Sequence, residues 1–280
     1  VDSALTDKLQ QLRNALRNMQ SVVVAFSGGA DSAFLAAVAH HELGHRAHAV
    51  TAVSPSLAGD EAADCAALAA EWGLRWSTVD TDEMARAAYR MNDLDRCYHC
   101  KAELLDVLAP LAAVERAVVV LGVNVDDLGD HRPGQTAAAE RGARFPLVDA
   151  GLTKAEVREA SRALGLRTWD KPAAACLASR VPYGTAVSVG VLGQVERAEA
   201  ALRRLGFRQL RVRHHGDMAR IEVPLDHFAL LLQLRESVVA AVAAQGYRFV
   251  TVDLEGFRSG SLNPDRTNTS VLVPASPGAT

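Results

Sequence analysis

Apolar residues in the first twenty positions recur at three- and four-residue spacing, at Leu5, Leu9, Leu12, Leu16 and Met19. That period predicts an amphipathic helix over 3–20. The pattern then becomes a continuous apolar run, Val22-Val23-Val24-Ala25-Phe26, which reads as a strand. Helix and strand signals alternate from there: a helix over 32–43 closed by Gly44, a strand over 48–53, a helix over 60–72 closed by Gly73, and a strand over 75–79. A short helix over 84–89 and an irregular piece over 91–96 lead into Cys97. A helix over 101–113 carries Pro110 near its end. Residues 117–121 are apolar throughout, as suits a strand buried on both faces. This order predicts right-handed parallel crossovers and a doubly wound, mostly parallel α/β sheet.

A polar stretch over 122–134 starts at the C-terminal end of that last strand, where open α/β sheets place their ligands. Thr153-Lys154-Ala155-Glu156 reads as a capping box that opens a helix to Leu164. The segment 169–184 is irregular and holds Pro172, Pro182 and Gly184. Such long irregular segments are usually functional. From Ser188 the pattern changes. Val191, Val195, Ala198, Leu202 and Leu205 line one helix face, strands over 208–214 and 219–223 flank a hairpin turn, and a helix over 225–244 precedes a strand over 247–254. This αββαβ order predicts a smaller α+β unit. The expected organisation is a first domain over 1–184, a second over 185–262 and a flexible tail over 263–280.

The 280 residues suffice for one large or two modest domains. A hydrophobic share of 49% argues against disorder of the whole chain. A formal net charge of −3 argues against broad nucleic-acid binding. No apolar run reaches membrane-spanning length without a charge or break, and no basic-apolar-small leader opens the sequence. The expectation is a cytoplasmic protein with no membrane and no nucleic-acid partner. Its four cysteines are Cys65, Cys97, Cys100 and Cys176. In such a chain the pair in Cys97-Tyr98-His99-Cys100 points to metal or redox chemistry ahead of a structural disulfide.

The chemistry concentrates first at Ser27-Gly28-Gly29-Ala30-Asp31-Ser32, between the first strand and its helix. Glycines let backbone N–H groups approach an anion closely, and the helix N-terminus adds partial positive charge. The stretch has neither the Gly-Lys-Ser/Thr ending of a Walker loop nor a GxGxxG pattern. It resembles the SGGxDS loop of the PP-loop pyrophosphatase superfamily, whose members cleave ATP between the α and β phosphates. Three further stretches narrow the resemblance. Gly122-Val123-Asn124-Val125-Asp126-Asp127 is similar to a GTNxDD element, and Gly129-Asp130-His131-Arg132-Pro133-Gly134 to GDYRPG. Ala175-Cys176-Leu177-Ala178-Ser179-Arg180-Val181-Pro182-Tyr183-Gly184 is similar to ACLASRxPYG. Together they resemble the LarE family, ATP-dependent sulfur transferases of nickel-pincer nucleotide cofactor synthesis. The departures are Val123 in place of threonine and His131 in place of an aromatic phenol.

The resemblance implies an adenine nucleotide α-hydrolase-like fold and a reaction. ATP adenylates a carboxylate of pyridinium-3,5-biscarboxylic acid mononucleotide and pyrophosphate leaves. A sulfur nucleophile then displaces AMP and leaves a thiocarboxylate, and the second carboxylate follows. It also implies a small-molecule nucleotide substrate and a homo-hexamer of three dimers. Some family members give up the sulfur of their own cysteine, which becomes dehydroalanine. Others hold a 4Fe–4S cluster on three cysteines and carry sulfur on the unliganded iron.

Candidate roles follow, each beside its plainer reading. Ser27, Gly28, Gly29, Asp31 and Ser32 bind ATP, with Asn124 and Asp127 as further contacts. Asp31 and Asp126 offer the oxygen donors that Mg2+ prefers, or else serve as a helix cap and a solvated loop carboxylate. Cys176 alone reads as inert core. Ser179 and Arg180 follow it, and a guanidinium favours the reactive thiolate. Cys176, Ser179 and Arg180 are therefore the candidate catalytic group, with Lys171 as a further cation. The Cys97 and Cys100 pair is a redox pair, half a zinc site completed by His99 and Cys176, or, as the resemblance implies, part of a three-cysteine cluster site with Cys176. Cys65 sits among alanines and reads as core. Arg211 and Arg213 share one face of a strand, and Arg258 follows the last strand. Guanidinium forks match the phosphate of a mononucleotide; the plain reading is solvated charge. Glu222 is a partner for an arginine or a metal contact. A cluster-dependent tRNA thiolase and a non-enzymatic adenylate sensor are the competing functions. The thiolase needs a basic surface that the sequence does not show.

Overall fold

The computed structural model describes residues 3–129, 133–172, 175–258 and 261–262. The tail expected over 263–280, and Asp130, His131 and Arg132 of the 129–134 motif, lie outside the described residues. The chain runs α1 (Ser3–Met19), β1 (Val22–Ala25), α2 (Ala30–Leu43), β2 (Ala47–Val53), α3 (Gly59–Glu71), β3 (Arg75–Asp80), α4 (Ala87–Met91), α5 (Arg96–Glu115) and β4 (Val118–Leu121). The four strands are parallel in the order β3-β2-β1-β4. This is the doubly wound sheet that the alternation predicts. β1 is central, and its valines show why it is apolar at every position. Val22 and Val24 pack with Leu12, Leu16 and Phe34 of α1 and α2, whereas Val23 packs with Leu108 and Ala112 of α5.

The chain continues through α6 (Pro133–Glu140), α7 (Pro146–Asp149), α8 (Lys154–Ala163) and α9 (Val189–Arg204) to β5 (Arg211–His215), β6 (Met218–Glu222), α10 (Phe228–Gln233), α11 (Arg235–Ala243) and β7 (Phe249–Val252). Both halves of the predicted capping box form at Thr153 and Glu156. β5 and β6 make an antiparallel hairpin, and β7 joins β6 in parallel. This second sheet has its own core, including Leu202, Phe207, Val212, Ile221, Val238, Val242 and Tyr247. No helix among the described residues is long and apolar enough to cross a membrane.

Several elements depart from the sequence reading: α4, β5 and β7 are shifted or shorter, and α7 was not expected. α5 starts at Arg96, so Cys97 and Cys100 lie in its first turns rather than in an irregular lead-in. Pro133 and Gly134, which read as loop, open α6; proline suits a first helical position because the missing N–H would be unpaired there anyway. The predicted helix over 225–244 is two helices that meet at Leu234.

Two glycines fix the phosphate loop. Gly28 has φ +68°, a left-handed conformation that other residues rarely take. Gly122, just past β4, lies against the first turn of α2: a Cβ there would sit 2.6 Å from the Ser32 amide nitrogen and 2.8 Å from the Asp31 carbonyl carbon. Those are backbone atoms, so a side chain at 122 displaces the loop. Gly122→Ala is expected to cost about 1–3 kcal/mol of stability and to weaken ATP binding. Gly190→Ala, in the first turn of α9 with nothing nearer than 3.9 Å, is expected to gain about 0.5–1 kcal/mol. Urea denaturation of both variants, with ATP titration of the first, checks the pair.

Candidate active site

The phosphate loop leaves β1 at its C-terminal end and enters α2 at Gly29. Its two hydroxyls hold it closed. Ser27 and Ser32 Oγ atoms are 3.0 Å apart, the Ser27 amide donates to Ser32 Oγ at 3.3 Å, and Ser32 Oγ donates to the Gly29 carbonyl at 3.2 Å. Behind the loop a Cβ on Gly28 would come within 2.8 Å of Cys65 Sγ and 3.8 Å of Lys171 Nζ. Cys65 is fully buried, and burial pushes its thiol up. Lys171 is held by Glu61 at 2.8 Å and Asp64 at 2.7 Å. It therefore backs the phosphate loop beside Cys65.

Opposite the loop stands a second layer of polar contacts. Asp31 accepts from Asn124 Nδ2 at 3.2 Å and pairs with Lys154 Nζ. Asp126 accepts the backbone N–H of Lys154 at 2.8 Å, and Asp127 accepts that of Asn124 at 3.1 Å. Lys154 thus ties Asp31 to Asp126, and the start of α8 to the phosphate loop. The sequence reading took Thr153-Lys154-Ala155-Glu156 for a cap alone and missed this lysine. The available signal was a cation in a first helical turn, where the helix dipole disfavours it.

The thiols form a separate group. Cys97 is exposed, while Cys100 and Cys176 are half-buried against the same apolar cluster of Met84, Tyr89, Leu177 and Val181. Burial pushes the Cys100 thiol up to about 12, against the opposing pull of Lys101. Tyr89 donates to or accepts from Ser56 at 2.6 Å beneath this group. The Cys176 segment is pinned by the Leu177 N–H, which donates to Ser56 O at 2.9 Å. Among the described residues no three His, Cys, Asp or Glu side chains close on a single metal ion, and His99 turns to Asp95 at 3.0 Å. A cluster takes its thiolates on different irons, so it does not require three sulfurs on one ion. Cys100 and Cys176 against one apolar cluster, with Cys97 one helical turn before Cys100, are a donor set of the right chemistry for it.

Arginines surround the other side of the Cys176 segment. Arg180 makes a fork onto Glu199 at 2.9 and 3.1 Å and reaches the Ala175 and Cys176 carbonyls and Ser179 Oγ. Burial works against its charge, but Glu199 outweighs it and holds the guanidinium above its ordinary value. Arg213, fully buried, forks onto Glu222 at 2.9 and 2.8 Å and donates to the Ser179 carbonyl at 2.7 Å. Glu222 is thus an arginine partner. Arg211 lies over the Phe257 ring at 4.8 Å. It is only 5% exposed, and it has neither a hydrogen bond nor an ion pair among the described residues. Burial, then Arg180 and Arg213, push its guanidinium down to about 10. Arg258 stands apart, exposed and paired with Glu255.

Known proteins resemble this chain over nearly its whole length. The sequence profile of the NAD synthase family matches residues 3–104. An uncharacterized protein of Synechocystis sp., slr1717, is 47% identical over 92% of this chain and 98% of its own. The pyridinium-3,5-bisthiocarboxylic acid mononucleotide synthase of Lactiplantibacillus plantarum is 36% identical over 97% of this chain and 99% of its own. An uncharacterized protein of Methanocaldococcus jannaschii, MJ0830, is 25% identical over 90% of this chain and 98% of its own.

The different settings of the thiols generate a labelling order. Iodoacetamide at about pH 8 reacts with thiolate, so in metal-free protein Cys97, which is exposed, is expected to label first. Cys100 and Cys65, whose thiols burial pushes up, are expected to lag by at least tenfold, with Cys65 labelled only on unfolding. Peptide mass spectrometry over a time course reads the order; labelling of Cys65 alongside Cys97 contradicts it.

Proposed function

The chain belongs to the LarE family, and from that premise we propose that it converts pyridinium-3,5-biscarboxylic acid mononucleotide to its thiocarboxylate by ATP-dependent sulfur transfer. In this reading residues 1–184 activate the substrate with ATP, and residues 185–262 hold its phosphate. Ser27, Gly28, Gly29 and Ser32 cradle the ATP phosphates with the N-terminus of α2, while Asn124 and Asp127 order the facing loop. Asp31 and Asp126 are the carboxylates for Mg2+, and Lys154, which bridges them, is a cation for pyrophosphate. Adenylation of a carboxylate depends on positioning and charge neutralisation more than on a strong base. The small electrostatic net around Asp31 supplies both.

The observation that carries the reading is Arg211. A buried guanidinium with no carboxylate bonded to it among the described residues, beside two that have theirs, matches an arriving phosphate. Arg213 and Arg180 fix the Ser179 and Cys176 backbone next to it, so a nucleotide phosphate bound at Arg211 sets its ring near the sulfur. Arg258, exposed at the same end of the second sheet, is the outer phosphate contact. Cys97, Cys100 and Cys176 would hold a 4Fe–4S cluster, which supplies a sulfide on its open iron when bound. Ser179 and Arg180 keep Cys176 in place.

Anaerobically prepared protein given ATP, the biscarboxylate and sulfide is expected to release AMP and pyrophosphate over many turnovers and to contain iron and acid-labile sulfide. ATP consumption without any substrate-dependent pyrophosphate overturns the reading. Iron-free protein that loses the mass of one hydrogen sulfide molecule after a single round replaces cluster-borne sulfur by sacrifice of Cys176. Arg211→Gln is expected to raise the substrate KM on the order of tenfold or more, since a charged hydrogen bond contributes about 1.5–3 kcal/mol, with the ATP KM unchanged.

A further inference from the structure

Several cations lie near the three thiols, and most are already neutralised. Arg180 belongs to Glu199 and meets Cys176 only through its carbonyl. Lys171, the further cation that the sequence offered for Cys176, lies instead behind the phosphate loop and belongs to Glu61 and Asp64. Arg213 belongs to Glu222. Arg96 is different. It is 4% exposed, directly precedes Cys97, and has no carboxylate partner among the described residues. Only its Nη1 is engaged, with Asn92 Oδ1 and with the Ala178 carbonyl at 2.9 Å. Its Nε and Nη2 have no partner among the described residues. The guanidinium lies 5.5 Å from the centre of the Tyr183 ring. Burial opposes its charge, yet the Cys176 and Cys97 sulfurs, then Tyr183 and Tyr89, outweigh it and hold Arg96 above its ordinary value.

The contacts of Arg96 also explain how it is kept there. Asn92 sits in a left-handed conformation at the end of α4, fully buried. Its Nδ2 donates to the carbonyls of Val181, Pro182 and Thr185, at 3.3, 2.8 and 2.9 Å. Asn92 therefore clamps the loop that follows Cys176, and its Oδ1 holds Arg96. Through Ala178 O, Arg96 joins the first turn of α5, with Cys97 and Cys100, to the segment that carries Cys176. A fixed, buried guanidinium with no carboxylate partner among the described residues, adjacent to Cys97 in the chain and bonded to the Cys176 segment, needs an anion there, because an uncompensated buried charge is strongly unfavourable.

We propose that Arg96 is the counter-charge of the thiol centre: it offsets the negative charge of the three thiolates and of the sulfur anion they help deliver, and it holds their two segments together. The inference rests on the three-cysteine reading above. It gives Arg96 the electrostatic role that the sequence suggested for Arg180. Arg96 is a positioning residue here, because it acts through the cysteines.

The test uses the full chain, reconstituted anaerobically with iron and sulfide, and reads cluster content and reduction potential by redox titration followed by electron paramagnetic resonance. The variants are Arg96→Gln, Arg96→Lys and Lys101→Gln, the last because Lys101 also neighbours Cys100. Removing a fixed positive charge disfavours the more negative, reduced cluster. Arg96→Gln is therefore expected to move the potential to more negative values and to lose iron to a chelator several-fold faster. Arg96→Lys keeps the potential near that of the wild type, and Lys101→Gln moves it less than Arg96→Gln. Circular dichroism and thermal unfolding of all three, without iron, report the fold. A loaded Arg96→Gln protein with the wild-type potential overturns the proposal, as does a larger shift in Lys101→Gln. If Arg96→Gln takes up no iron, Arg96→Lys decides: a wild-type potential supports the charge role, and failure to load shows a purely structural one. Wild-type protein that takes up no iron removes the three-cysteine reading and this inference with it.

Discussion

Two buried ion pairs organise the site. Glu199 of α9 and Glu222 of β6 are both fully buried, and each takes the fork of one arginine, Arg180 and Arg213. Both arginines also reach the backbone of one segment: Arg180 the Ala175 and Cys176 carbonyls, Arg213 that of Ser179. Such pairs are a weak source of stability, because desolvating four charged groups offsets most of their attraction. Their effect is geometric. Removing one partner strands a charge in the interior, so the arrangement holds as a unit. The Cys176 segment is tied to the second sheet through it, and to the first sheet through the Leu177 N–H on Ser56. Where Cys176 sits is therefore decided by both halves of the chain.

The fold was legible where local pattern and tertiary packing agree. The valines of β1 read as a strand because both faces of a central parallel strand are covered, and the Thr153 cap formed because its partner lies only three residues on. The departures share a cause. α5 reaches back to Arg96 although Asp93-Leu94-Asp95-Arg96 has no apolar period; Arg96 is fixed there by Asn92 and by Ala178, the latter 82 residues away. The register of the hairpin sets Glu222 opposite Arg211, yet its carboxylate takes the fork of Arg213 diagonally across the pair, and Arg180 meets Glu199 through the packing of α9; no spacing rule supplies either pairing. Alternation correctly placed Arg211 and Arg213 on one strand. It did not show that one would be satisfied by a carboxylate and the other left without one. Lys154 was the opposite case: its signal was local, a cation in a first helical turn, and it went unread because a sound cap explained the segment already.

The state of each buried guanidinium separates scaffold from site. Arg180 and Arg213 have carboxylates of their own, and their donors to spare go to main-chain carbonyls and serine hydroxyls. Arg211 and Arg96 are about equally buried, with no carboxylate among the described residues. A folded chain gains nothing from burying such a charge alone, since the unfolded chain solvates it fully. Both positions carry a compensation that only partly meets this cost: the Phe257 ring for Arg211 and the Tyr183 ring for Arg96, each a face that attracts a cation without neutralising it. One stands on the second sheet beside Arg180 and Arg213, and the other on α5, bonded to the Ala178 carbonyl of the Cys176 segment. Under the proposed reading the anions for these cations are of two kinds: a phosphate, which is hard and delocalised over several oxygens, and sulfur, which is soft and held by the thiols themselves. An enzyme that moves sulfur onto a nucleotide needs both, and it needs them fixed around one well-tethered segment.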